Sequence, residues 1–475
     1  MPKNMNQSIN KYFFILALVF LSACKVSKDV ATPDTGLPVT FRNAGQATDS
    51  AGIADLPWQS FFTDATLKQL IGKALEQNYD MQLALKNIEA AQLQLKQTKW
   101  GYVPDARIQA GASTSRPSDN SLNGLSLGQF LGTRHIEDYS ASLVLSWEAD
   151  IWGKIRNQQK AALAAYLQTG EARKLVQTDI VAGVSKGYYN LLMLDAQLDV
   201  ARRNLALNDS TLRMIRLQFD AGQVTSLAVQ QAEAQRLEAA QLVPQFEQNI
   251  TIQENALSIL AGELPAELKH SSGLQNVAFP ENPGTGLPSA LLSRRPDVRS
   301  TELQLDIANA RVGIAKANMY PTLSITANGG VNAFKASNWF NIPASLFGTV
   351  AGNLAQPLIQ KKQLRTQYQL AGVEREKAVL QFRQSVLAAV GEVSDALVKI
   401  DKLKSQYAIA NARVATLQQA ISNASLLFQN GMATYLEVIT AQGNVLKSEL
   451  EISMLKRDQL NAVVDLYRSL GGGWK

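Results

Sequence analysis

At 475 residues, 46% of them hydrophobic and 18% charged, the chain can bury a large core and is no disordered polymer. Its net charge of +6 comes from 46 basic and 40 acidic residues interspersed along the sequence. No basic block rimmed by aromatics stands out, which leaves nucleic-acid binding without support.

Lys3 and Lys11 precede the apolar run YFFILALVFL at 12–21, which has the length of a signal-peptide core and is too short to span a bilayer. The run ends in Leu21-Ser22-Ala23-Cys24, and Cys24 is the one cysteine of the chain. These four residues resemble the bacterial lipoprotein cleavage box. The resemblance implies a signal peptide over 1–23 and a mature N-terminus at Cys24 that carries diacylglycerol and an acyl chain. Lys25, in place of Asp, favours outer-membrane sorting by the same resemblance. Residues 24–55, rich in Thr, Pro, Asp, Gly and Ser, read as an extended tether. No later stretch reaches ~18 consecutive apolar residues, so a membrane-spanning part has to be a β-barrel.

Beyond the tether the chain repeats itself, which divides it at 56–270 and 271–475. NYDMQLALKNIEAAQLQLKQTKWGYVP, from Asn78 to Pro104, parallels RPDVRSTELQLDIANARVGIAKANMYP, from Arg295 to Pro321. FDAGQVTSLAVQQA at 219–232 parallels FQNGMATYLEVITA at 428–441, at an offset of 209 residues (428 − 219) that superposes Phe, Gly, Thr, Leu, Val and Ala. Such a match points to duplication.

After its proline each half offers two strands by alternation: about 105–116 and 138–149 in the first, about 322–333 and 345–356 in the second. In DYSASLVLSWEAD, Tyr139, Ala141, Leu143, Leu145 and Trp147 share one face. Strands of about 10 residues suit a tilted membrane crossing, and alternation alone also suits a soluble hairpin. Steps of three, four and seven between apolar residues predict a helix from Trp152 to Gly222, roughly 105 Å at ~1.5 Å per residue, with a counterpart from Leu358 to Gly431. Gly222 and Gly431 mark the turns into return helices of about 40 residues, ended by Gly262 and Gly471. Pro244 is expected to bend the first return helix. Four strands leave edges that lipid cannot satisfy, whereas three copies supply twelve. Tyr139 and Trp147 then belong to the two interfacial aromatic girdles.

Four passages resemble the TolC-like outer-membrane efflux proteins, in their lipoprotein branch serving resistance-nodulation-division (RND) pumps. They are the cleavage box, WEADIWGKIR (Trp147 to Arg156), RRPDVRSTELQL (Arg294 to Leu305), and the FxxGxxTxLxV motif at both turns. The resemblance implies a mixed α and β membrane protein: a homotrimeric 12-stranded transmembrane β-barrel, continued by a long periplasmic α-helical barrel. It implies a passive exit duct for small molecules such as drugs, with a periplasmic adaptor and an inner-membrane RND transporter as partners and outer-membrane lipid around it. Gly222 and Gly431 become the adaptor-facing tips. The family's pore-ringing Asp is replaced by Thr440, and Glu437 is the one carboxylate between Gly431 and Glu449, which makes Glu437 and Thr440 the candidate gate. A duct for a type I protein secretion system and a non-conducting coiled-coil lipoprotein are the alternatives.

No catalytic, cofactor or metal constellation is legible. His135 and His270 are the two histidines, far apart and in loop-like sequence, where such side chains are usually solvated, and no phosphate-binding glycine motif opens a helix. Arg294-Arg295-Pro296-Asp297 reads either as an anion site or as a helix start with Pro in the first turn and Asp on the helix dipole.

Overall fold

The structure, a computed structural model, describes residues 36–38, 40–42, 52–130, 132–270, 273–277 and 284–475. Segment 1–23 and Cys24 lie outside the described residues.

The main elements are α1 (Ala65–Gln77), α2 (Tyr79–Lys99), β1 (Asp105–Ser115), α3 (Leu122–Phe130), β2 (Ile136–Glu148), α4 (Lys154–Asp220) and α5 (Ser226–Leu260). They continue with α6 (Pro296–Ala317), β3 (Thr322–Ala333), β4 (Leu346–Ala355), α7 (Gln363–Gln429) and α8 (Tyr435–Ser469). The duplication is visible in lengths: α4 and α7 each have 67 residues, and α5 and α8 each have 35. No helix among the described residues is long and apolar enough to cross a membrane.

The chain divides into two compact units, and each repeat contributes to both. The described part of the first unit comprises Ala90–Leu167 and Leu303–Leu380, with all four strands. They form one antiparallel sheet in the order β1-β2-β3-β4. The strand bounds agree with the sequence reading to within two residues. Helix α3, between β1 and β2, was not predicted. The Ser121 hydroxyl accepts from the Gly124 amide at 3.1 Å and starts it, and Leu127 is its buried anchor. The second long helix begins at Gln363, later than predicted, because Lys361 and Lys362 adopt positive φ and interrupt the helical path.

The second unit comprises Asp34–Glu89, Gln168–Glu302 and Gln381–Lys475, and holds the large core. Leu67 and Ile71 of α1, Tyr188, Leu191 and Leu192 of α4, and Leu460, Leu466 and Tyr467 of α8 are almost fully buried in it. Each such aliphatic side chain contributes ~1.5–3 kcal/mol by leaving water. Phe61 stacks on Tyr467 at a centroid distance of 3.9 Å. The segment read as an extended tether is partly docked here: Phe41, Ile53 and Ala54 are buried, and Asp55 pairs with Arg294 at 2.8 Å and Lys475 at 3.1 Å. Helix α5 runs through Pro244 without interruption.

Two equivalent knots end the return helices. Gly262, at φ 76°, lies so close to Gln77 that a Cβ would stand 2.5 Å from its carbonyl oxygen. Gly471, at φ 87°, stands in the same relation to Arg294, at 2.7 Å. Beside the first, Asn78 Nδ2 donates to the carbonyl of Leu260 at 3.0 Å, and beside the second Arg295 donates to that of Ser469 at 3.2 Å. Arg295 is buried and also binds Asp297 at 2.6 Å and Glu392 at 2.7 Å. Burial alone drives the Asp297 pKa up, but hydrogen bonding and charge from Arg295 more than offset this and hold it below the ordinary carboxylate value. The Arg295-Asp297 motif is therefore an internal clamp at the start of α6 rather than an anion site.

His270 is not a solvated loop side chain. Its Nε2 lies 2.6 Å from Asp195 of α4, and its Nδ1 lies 3.0 Å from the Leu268 carbonyl. Glu254 of α5 accepts from the Leu268 amide at 3.0 Å, so residues 265–270 form a strap tied to both helices. The hydrogen bond to Asp195 raises the His270 pKa to about 9 against the opposing effect of burial. A histidine whose folded pKa is raised stabilises fully below its unfolded pKa of about 6.5, and the contribution fades as pH climbs to about 9. His270→Ala is expected to lower the thermal midpoint more at about pH 6 than above pH 9, where only the contacts of the neutral ring are lost. Equal losses at both pH values, measured by thermal denaturation, would show that the ion pair contributes nothing.

Candidate functional site: the two-faced sheet and the helical tips

In the first unit, register aligns side chains across all four strands. Ala106, Leu145, Ala327 and Val350 are consecutive partners, as are Ala110, Ala141, Val331 and Leu346, so these rows fall on one face. Trp147 and Ile325 add to it at the helix end, and Tyr139 at the loop end. The opposite face carries rows such as Asp105, Ser146, Thr326 and Ala351, and Arg107, Val144, Asn328 and Thr349. The apolar face has no core behind it among the described residues: Ile108 is 85% and Val350 80% exposed there. A soluble hairpin would bury that side on a core. Strands β1 and β4, of 11 and 10 residues, also keep one edge each without a partner strand among the described residues.

Trp147 lies eight positions after Tyr139 on β2. At ~3.4 Å per residue that is about 27 Å of strand, which the usual tilt shortens to about 20 Å, within the apolar band of an outer-membrane barrel. Trp147 Nε1 donates to the Tyr102 carbonyl at 3.0 Å, and the Tyr139 ring packs on Trp339 at 5.7 Å. The Tyr139 hydroxyl donates to Glu137 at 3.1 Å, so both side chains have an apolar body and a satisfied polar atom, as interfacial aromatics require.

In the second unit the hairpin α4–α5 turns at Gly222, with φ 72°, and the hairpin α7–α8 at Gly431, with φ 71°. The left-handed backbone closes each turn at no cost for glycine alone. Leu212, Ile215, Ala228 and Ala232 of the first hairpin pack with Phe428 and Val438 of the second in one small core. Deeper along the pair, Gln442 donates to Thr211 Oγ1 at 2.7 Å.

Glu437 has a local role that the sequence reading missed. Thr434 caps α8, its amide donating to the Glu437 carboxylate at 2.9 Å and its hydroxyl to the same oxygen, which makes a capping box. The Thr-x-x-Glu spacing was the available signal. The Thr434 hydroxyl holds the Glu437 carboxyl below the ordinary glutamate pKa, so the group is ionised near neutral pH. Thr225, the N-cap of α5, has Ala228 at the matching position and makes no side-chain cap. Glu437 and Thr440 are exposed and lie off the buried stripe of Val438, Gln442 and Val445.

The model of the outer membrane efflux protein family matches residues 70–263 and 287–472, one stretch per repeat. The solvent efflux pump outer membrane protein SrpC of Pseudomonas putida is 30% identical over 467 residues, 97% of either chain. SilC of Salmonella typhimurium, named a probable outer membrane lipoprotein, is 26% identical over 98% of this chain and 99% of its own. The cation efflux system protein CusC of Escherichia coli K12 is 27% identical over 97% of this chain and 98% of its own. A solved CusC structure superposes with a TM-score of 0.82 at 25% identity, covering 95% of this chain and all of that one. With two-thirds or more of its length matched twice over by sequence and fold, the chain belongs to the outer membrane efflux protein family and is an outer-membrane channel protein of mixed α and β fold.

Proposed function

We propose that three copies of this chain join β4 of one to β1 of the next, close a twelve-stranded barrel across the outer membrane, and form the exit duct of an RND-type efflux pump. The observation that carries this reading is the register: every apolar row shares one uncovered face, and two full-length edges await partners. Lipid accepts the first feature and forbids the second unless the barrel closes. Large apolar side chains left bare on α7, among them Leu380 and Leu387, support neighbouring copies along the helices as well. The duct passes small molecules by diffusion from periplasm to exterior, and a periplasmic adaptor and an inner-membrane transporter supply the drive. Cys24 acylation anchors the chain, in keeping with the lipoprotein naming of SilC. A non-conducting coiled-coil spacer would have no use for a two-faced sheet.

Purified full-length protein is expected to have the mass of a trimer in detergent and to give discrete conductance steps in a planar bilayer. A folded monomer, or trimers without conductance, would reject the duct.

Gly222 and Gly431 are proposed as the adaptor-facing tips. The space around both is open, so Gly222→Val or Gly431→Val strains only the backbone, by about 1–2 kcal/mol. Trimers are expected to survive this while pump-dependent drug resistance is lost, and normal resistance in both variants would remove the tips from the docking surface.

Glu437 is further proposed to ring the narrow end of the duct with three ionised carboxylates that attract cations and repel one another. Glutamine also serves in a capping box, so Glu437→Gln removes the charge and spares the cap. Resting conductance is expected to rise and cation selectivity to fall, and Thr440→Asp is expected to restore selectivity in part. Wild-type conductance and selectivity in Glu437→Gln would put the gate elsewhere.

A further inference from the structure

The two crossings from strand to long helix occupy equivalent places in the repeats and are built differently. Between β2 and α4 the junction is closed on itself. Trp152 stacks on Tyr320 with centroids 4.7 Å apart, and its Nε1 donates to the Pro321 carbonyl at 2.7 Å. Lys154 pairs with Glu148 at 3.0 Å, and the Asp150 carboxylate accepts from the amides of Ile155 at 2.9 Å and Arg156 at 3.0 Å. The left-handed residue of this turn is Gly153, at φ 73°.

Between β4 and α7 the junction is open. Leu358 is 87% and Ile359 93% exposed. Lys362 stands where the first repeat has Gly153, at the same offset of 209 (362 − 153), and holds φ 62°. Lys361 before it is also left-handed, at φ 51°. A side chain in that region is strained where glycine is not, and here two successive lysines take the strain. Neither lysine, nor Arg365, forms an ion pair among the described residues. No carboxylate occurs from Gln356 to Arg365. These residues line an open recess of about 400 Å³, with Met319 and Pro357 on its wall.

We propose that this junction is a binding site for an anionic phospholipid of the periplasm-facing leaflet, with acyl chain against Leu358 and Ile359 and phosphate against Lys361, Lys362 and Arg365. The inference rests on the reading that β1 to β4 cross the outer membrane, which puts the helix end of β4 at the boundary between hydrocarbon and water. Two bare aliphatic side chains beside three unpaired cations match a lipid with an acidic headgroup in both halves. Continuity with the apolar face of the sheet, where Leu354 lies one residue before the end of β4, carries the acyl chain onward. The strain at Lys362 is then the cost of an ammonium aimed at the headgroup, which Gly153 has no need to bear.

Native mass spectrometry of the full-length protein, with phosphatidylglycerol or phosphatidylcholine added to the detergent, tests the proposal. The wild type is expected to retain phosphatidylglycerol at least about tenfold better, since each basic group near an anionic surface adds a comparable increment. Lys361→Gln, Lys362→Gln and Arg365→Gln together are expected to abolish the preference. Lys362→Gly, which relieves the backbone and so folds at least as well, is expected to weaken it severalfold and to raise the thermal midpoint. Inorganic phosphate is expected not to displace the lipid. Equal retention of the two lipids by the wild type, or an undiminished preference in both cation variants, overturns the site, as does displacement by free phosphate. Leu358→Ser with Ile359→Ser is expected to weaken lipid retention with the oligomer intact. Loss of the oligomer with retention unchanged would assign the patch to a second copy and overturn the proposal. Protease protection of β1 to β4 in phosphatidylcholine vesicles reports the membrane crossing separately. A protected sheet without headgroup preference defeats this inference alone, and an unprotected sheet defeats both.

Discussion

The constraint on which the rest depends is that a strand edge in hydrocarbon has no water to pair with. The four strands among the described residues satisfy three interfaces and leave two edges, on β1 and β4. Each unpaired amide or carbonyl buried in lipid costs several kcal/mol, so the protomer cannot be the membrane-stable unit. Everything particular about the sheet follows from that. Its apolar rows share one face without a core behind them, its polar rows line the other side, and the pairing of its edge strands runs on without a bulge that would blunt them.

The second theme is duplication with selective departure. Equal helices of 67 and 35 residues, turned by glycines of the same left-handed backbone, give the two repeats a common frame. Within that frame three differences bring charge into the second copy. Asn78 at one knot becomes Arg295 at the other, held by Asp297 and Glu392. Ala228 in one tip becomes Glu437 in the other. Gly153 in one junction becomes Lys362 in the other. A duplicated scaffold can keep its packing in one copy and spend the other on chemistry, because both copies of the backbone are already specified by the same caps and the same apolar stripe.

The buried clamp at Arg295 illustrates how such a charge is kept. A guanidinium this far from water is costly, and two carboxylates and a backbone carbonyl compensate it through four hydrogen bonds from its three nitrogens. What the arrangement secures is the meeting of the start of α6, the middle of α7 and the end of α8 at one point.

Much was determined by sequence alone. Strand alternation, helix length, the turns at Gly222 and Gly431 and the repeat itself depend on interactions between residues two, three or four apart, or on a comparison of the chain with itself, and all of these are written linearly. The tertiary structure decided what depends on partners distant in sequence. It brought Asp195 to His270 and Glu392 to Arg295, and so turned a loop histidine and a suspected anion motif into internal ties. It set the register that aligns four apolar faces, since alternation fixes which residues share a face within one strand and only pairing fixes which faces coincide. It also delayed α7 to Gln363, because the left-handed backbone of Lys361 and Lys362 is imposed by the need to join β4 to a helix whose path is already set, against the local preference of lysine for a helix.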